Sequence, residues 1–289
     1  MIRILFYVVL FGYQLSQYCY ASKNDVTNVF VSILPQKYFV ERIGGKHVNI
    51  SIMVSAGQNP ATYEPSPRQM VLLNESQLYF RAGVPFENIW VDVIKELNTN
   101  LKFIECCTEL QKIITEDHHH DKDAKKENKK DPHVWTSPVN AKYIALKIKN
   151  ALTDIQPAYK TEFETNYSGF IEDLNKLDED IKSRLAQLNN RYIVVSHPSW
   201  GYYAEAYDLI QLPIELDGKA VRAKSLAKLI ELTKSKNINT VFVQKQFNKN
   251  SAEILAKEID ADIIELDPLA EDYIANLYYV TGAILEGEK

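Results

Sequence analysis

Two histidines stand in short segments that also carry Pro and Trp, Asp131-Pro132-His133-Val134-Trp135 and Ser196-His197-Pro198-Ser199-Trp200. A third segment, Glu265-Leu266-Asp267-Pro268, adds a carboxylate. Imidazole nitrogen and carboxylate oxygen are donors that zinc accepts at roughly 2.0 to 2.2 Å, and manganese takes the same set. His133, His197 and Asp267 are therefore candidate ligands of one transition metal. Each has an ordinary reading when taken singly: a histidine after a strand commonly makes a structural hydrogen bond, and an Asp before Pro is by default a turn residue or helix cap. The combination, set at the ends of separate elements, carries the expectation.

The elements around these residues alternate. Residues 26–34, 48–54, 77–80 and 101–105 read as strands, with helices over 35–43, 67–74 and 86–98 between them. In the second half, strands are predicted at 191–196, 212–216, 240–243 and 262–266, with helices at 200–207, 225–235, 251–259 and 273–285. Such alternation implies α/β architecture, a mostly parallel sheet with helices on its faces in each half. His197 and Asp267 each follow a predicted strand, where open α/β sheets place their ligands. A helix from Pro138 to about Ile155 leads into the stretch 156–189, in which Phe163, Tyr167, Phe170, Leu174, Leu177, Ile181, Leu185 and Leu188 recur at steps of three and four. That spacing predicts one amphipathic helix of roughly 45 to 50 Å at 1.5 Å per residue, long enough to span two lobes. A site shared by both lobes would lie in the cleft between them.

The 289 residues suit two domains of ordinary size, each able to bury its own core. The expected division is a signal peptide at 1–21, an N-terminal lobe at 22–156, the linking helix at 157–189 and a C-terminal lobe at 190–289. The signal reading rests on Met1-Ile2-Arg3, the apolar run from Ile4 to Phe11 and the small residues Ala21-Ser22. It places the mature chain outside the cytoplasm. Cys19 follows Tyr18 and stands three residues after Ser16, which fits a lipidation signal poorly, so no lipid anchor is expected there. The remaining Cys106 and Cys107 are adjacent and read as small buried apolar side chains, not as a disulfide or thiolate site. A net charge of −5 with interleaved basic residues excludes nucleic acid as the expected partner. The segment 116–130, with His118, His119 and His120 ahead of a lysine-rich run, reads as a mobile charged loop able to collect metal weakly.

Together these motifs resemble the zinc and manganese solute-binding proteins of ABC importers, cluster A-I. The matching segments are Asn59-Pro60-Ala61-Thr62-Tyr63-Glu64-Pro65-Ser66-Pro67, the His133 and His197 segments extended to Tyr202, Gly218-Lys219 and Leu266-Asp267-Pro268. The resemblance spans nearly the whole chain beyond the expected signal and keeps the long helix and the His-rich loop in order. It implies two α/β lobes joined by one rigid backbone helix, a divalent metal at their interface and an ABC permease as partner, the binding protein itself acting as a monomer and not as an enzyme. Zinc is the expected metal, with Mn²⁺ and Fe²⁺ as alternatives. One departure stands out: where the family carries its first metal-binding histidine, this chain has Ala61. The site then consists of His133, His197 and Asp267 with water, or it recruits Gln58, Asn59, Glu64 or a loop histidine. The departure keeps open a surface adhesin or scavenger of the same fold with a weakened site. An exported zinc hydrolase has less support, because neither H-E-x-x-H nor a nucleophile elbow is present.

Overall fold

The computed structural model describes residues 26–113, 130–216, 219–220 and 223–288. The expected signal with Cys19, and the loop histidines His118, His119 and His120, lie outside them.

The first half builds a parallel sheet from β1 (Thr27–Val31), β2 (Val48–Ile52), β3 (Leu78–Arg81) and β4 (Lys102–Glu105), in the order β2-β1-β3-β4. Its helices are α1 (Leu34–Gly44), α2 (Pro67–Asn74) and α3 (Pro85–Leu97). All three begin with proline at the first or second position, where the missing N–H costs nothing. Ser66 and Gln69 add a reciprocal capping box to α2. After α4 (Pro138–Ile155) and α5 (Lys160–Leu185), the second half repeats the plan. Its sheet contains β5 (Tyr192–Val195), β6 (Ile210–Pro213), β9 (Thr240–Val243) and β10 (Asp262–Glu265), parallel in the order β10-β9-β5-β6. The helices are α6 (Gly201–Ala206), α7 (Ala223–Ser235), α8 (Asn250–Ile259) and α9 (Tyr273–Glu286).

Two features differ from the sequence reading. The strand expected at 212–216 is instead β6 followed by a two-stranded antiparallel pair, β7 (Glu215–Leu216) with β8 (Lys219–Ala220). Ile214 and Glu215 still donate to the carbonyls of Val195 and Ser196 before the chain turns away, which sets Glu215 beside the end of β5. The long helix is also shorter than its apolar pattern. Pro157 disfavours helical backbone at the residue before it, and Gln156 takes φ −129° and ψ 65°, so α4 stops at Ile155 and a 3₁₀ turn over Pro157–Tyr159 intervenes. The 26 residues of α5 then give a rod of about 39 Å.

This rod carries the architecture. Its stripe of Phe163, Phe170, Leu174, Leu177, Ile181 and Leu185 is fully buried, packed against α1 and α4 on one side and α9 on the other. Phe39 of α1 meets Phe170 with ring centroids 5.4 Å apart and Tyr273 of α9 at 4.9 Å, so one aromatic cluster joins the first lobe, the rod and the second lobe. The lobes consequently share most of their buried apolar core. A single apolar cluster runs from β1 through α5 to α9, and a smaller one fills the face of the second sheet under α7 and α8.

Candidate metal centre

His197 stands two residues beyond β5, and its backbone is clamped from the neighbouring strand. Gln244, just past β9 and fully buried, accepts from His197 N at 3.0 Å and donates through Nε2 to His197 O at 2.9 Å. The ring stacks on Phe247 with centroids 3.7 Å apart and 13° between planes. Its Nδ1 lies 3.2 Å from Glu215 Oε1. Burial pushes the imidazole below its usual pKa, partly offset by the Glu215 carboxylate.

His133 precedes a 3₁₀ turn at Val134–Thr136. Asp131, only 2% exposed, accepts through Oδ1 from both His133 N at 2.9 Å and His133 Nδ1 at 2.7 Å. The two rings come together with centroids 5.5 Å apart. In each histidine a carboxylate holds Nδ1, which fixes the tautomer and leaves the Nε2 lone pair free for a ligand.

The elements around them are sewn across the lobes. Tyr202 Oη accepts from the backbone N–H groups of Lys112 and Ile113 and donates to the carbonyl of Asp131. A Cβ on Gly201 would lie 2.7 Å from Asp131 Oδ2, so any larger residue there would have to displace the carboxylate that holds His133. Trp135 Nε1 donates to Pro268 O at 2.7 Å, and Tyr273 Oη donates to Trp135 O at 2.8 Å. The His133 segment is thereby tied to the segment that bears Asp267.

A cleft of about 790 Å³ opens between the lobes, and His133 and His197 both line it with Asp131 and Glu215. Asp267 is not part of the lining. Its Oδ1 accepts from Gln246 Nε2 at 2.8 Å and from Leu269 N at 2.9 Å, so in this conformation the carboxylate organises the turn into Pro268. Among the described residues no group of three His, Cys, Asp or Glu side chains is arranged to hold a metal ion. Ala61 and Asn59 line the cleft, with Asn59 Oδ1 accepting from Ala61 N at 2.8 Å. Gln58 and Glu64 are exposed and outside the lining, and Gln58 Oε1 accepts from Ser55 N. Cys106 and Cys107 are free and buried in the core, and burial pushes both thiols up, away from thiolate chemistry. Sequence reasoning did not assign roles to Asp131, Glu215 or Gln244. The signal for Glu215 was a lone acid in the apolar stretch Leu212-Pro213-Ile214-Glu215-Leu216, and for Gln244 an amide directly after Thr240–Val243.

The comparisons agree with this architecture. The chain is 26% identical over 266 residues to a putative metal-binding protein of Chlamydia muridarum, which covers 89% of this chain and 90% of the relative. It is 27% identical over 277 residues to the zinc-binding protein AdcA of Streptococcus pyogenes, covering 90% of this chain but 54% of that longer protein. A solved structure of ZnuA superimposes with a TM-score of 0.84 and 35% identity, over 92% of this chain and all of the other. The laminin-binding adhesin Lmb of Streptococcus agalactiae, at 20% identity and a TM-score of 0.79 over 91% of this chain and 100% of its own, shares the fold. The family model described as "Zinc-uptake complex component A periplasmic" matches residues 29–287, nearly the whole of the described structure, and the chain belongs to that ZnuA family.

Proposed function

We propose that this protein works outside the cytoplasm as the binding component of an ABC importer, capturing Zn²⁺ between its lobes and delivering it to a membrane permease. The observation that carries the reading is the pair of cleft histidines, each with Nδ1 engaged by a buried carboxylate and Nε2 left to donate. Carboxylate–histidine pairs are the outer support of metal sites, and two imidazoles favour zinc over manganese in the usual order of affinities. His133 comes from the first lobe and His197 from the second, so a shared ion links them. Asp267 joins as a ligand once its carboxylate leaves Gln246, and Asn59 is the substitute donor nearest to Ala61. The loop histidines His118, His119 and His120 serve as an accessory collecting arm.

Metal-stripped protein titrated with Zn²⁺ and with Mn²⁺ against a competing chelator tests the reading. One tight zinc equivalent that is lost in His133→Ala and in His197→Ala is the expected result. Zinc binding unchanged by both substitutions would refute it.

A further inference from the structure

We infer that Gln246 is a specificity-determining residue of the metal site: by holding the Asp267 carboxylate outside the cleft, it favours zinc, which two imidazoles suit, over manganese, which depends on oxygen donors. The inference rests on the proposed capture of zinc and concerns how that site chooses among divalent cations. Imidazole suits zinc, whereas carboxylate and water oxygens suit Mn²⁺. At the cleft, the carboxylates of Asp131 and Glu215 are engaged at the Nδ1 atoms of His133 and His197. Asp267 is then the carboxylate left for an ion, and Pro268 and Leu269 directly after it line the cleft. Its Oδ1 is held by Gln246 Nε2 at 2.8 Å and Leu269 N at 2.9 Å.

One short segment between β9 and α8 governs both second-lobe ligands. Gln244 clamps the backbone of His197, Phe247 stacks on its ring, and Gln246 takes Asp267. The segment is itself anchored to the strand that leads into Asp267, with Lys245 Nζ 3.3 Å and Lys249 Nζ 2.9 Å from the Glu265 carboxylate at the end of β10. Asn276 Nδ2 donates to Asp267 O at 2.8 Å, which fixes the ligand's backbone and makes release a rotation of its side chain. The latch is weak enough to open: Gln246 Oε1 is buried with no hydrogen-bond partner among the described residues, a cost that the latched amide carries. Opening still breaks a hydrogen bond to a carboxylate, and only an ion that gains from that carboxylate offsets the loss. With the latch shut, zinc can bind through the two Nε2 atoms and water. Mn²⁺ lacks that recourse, so the latch weighs chiefly on Mn²⁺.

Titrations of the metal-stripped parent, Gln246→Leu, Gln246→Ala, Asp267→Asn and the double variant of Gln246→Leu with Asp267→Asn test this. Zinc is read by competition with a chelator, and Mn²⁺ by the electron paramagnetic resonance signal of the free ion. In Gln246→Leu the expected result is Mn²⁺ affinity raised about tenfold and zinc affinity raised less than about threefold, so that the preference for zinc narrows. Asp267→Asn keeps an acceptor for Leu269 N, and in that background the Gln246 substitution is expected to change neither affinity. Circular dichroism melting checks the fold, and Gln246→Ala is read in the same way if the leucine variant melts early. Weaker binding of both ions, an unchanged zinc-to-manganese ratio in both Gln246 variants, or the same gain without the Asp267 carboxylate would overturn the latch. Zinc capture stands through any of these outcomes if His133→Ala and His197→Ala still abolish zinc binding. If those two variants hold zinc as tightly as the parent, the capture reading itself fails.

Discussion

At the scale of single residues, the two histidines owe their usefulness to groups that are not themselves ligands. An imidazole free to rotate and to exchange tautomers presents the wrong nitrogen part of the time, and a carboxylate at Nδ1 removes that freedom. Glu215 does this for His197 from the start of β7, and Asp131 does it for His133 from two residues upstream. Glu215→Ala should leave the fold intact and weaken zinc binding by about 10- to 100-fold, the usual effect of removing such a support. Competition titration of the variant measures it, and an affinity equal to that of the parent would show that Phe247 stacking alone holds the ring.

Elements meet at a few positions where one atom decides the fit. Gly201→Ala places a methyl group against the buried Asp131 carboxylate, and the overpacking should cost about 1 to 3 kcal/mol. Urea unfolding gives the value, and because Asp131 orients His133, zinc affinity should fall with it. At the other end of the molecule, Glu162 in the first turn of α5 lies 2.8 Å from the buried His47, which also stacks on Tyr159. The His47 hydrogen bond holds the Glu162 carboxyl below the usual glutamate range. The folded chain then binds fewer protons than the unfolded chain at acid pH, so this contribution is complete above about 4.5 and is lost as pH falls through the lower folded value. Unfolding midpoints measured from pH 6 to pH 3 should fall less steeply for Glu162→Gln than for the parent.

For the whole molecule, the shared core sets how the lobes behave. Phe170 touches α1 directly and, through Phe39, Tyr273 of α9, so its loss is felt on both sides. Phe170→Ala should cost about 3 to 5 kcal/mol and lower a single transition. Coincident near- and far-ultraviolet circular dichroism curves would be the evidence, whereas two separated transitions would show lobes that unfold independently. The same rod argues for small motions: α5 packs on both lobes along a buried stripe, so capture of cargo is expected to reorder the cleft loops without wide closure. Solution scattering with and without zinc should give nearly the same radius of gyration.

The sequence by itself determined the elements and the placing of the histidines, because these follow from local rules. Alternating apolar runs dictate strands, the three-and-four spacing from Phe163 to Leu185 dictates the rod, and a histidine after a buried strand emerges at the strand's carboxyl end. It also carried the departure at Ala61, which no fold can disguise. Only the tertiary structure decided the pairings. Glu215 reaches His197 because β6 continues past Pro213 beside β5, and Gln244 clamps it because β9 is the neighbouring strand; strand order is a long-range outcome that periodicity does not encode. Asp267 follows its strand as expected, yet Gln246 and Leu269 hold its carboxylate within its own turn. One large cluster shared by both lobes, beside a smaller one in the second, arises for a related reason. The apolar stripe of α5 shows that it must be covered, but which helices cover it depends on how the chain folds back from both ends.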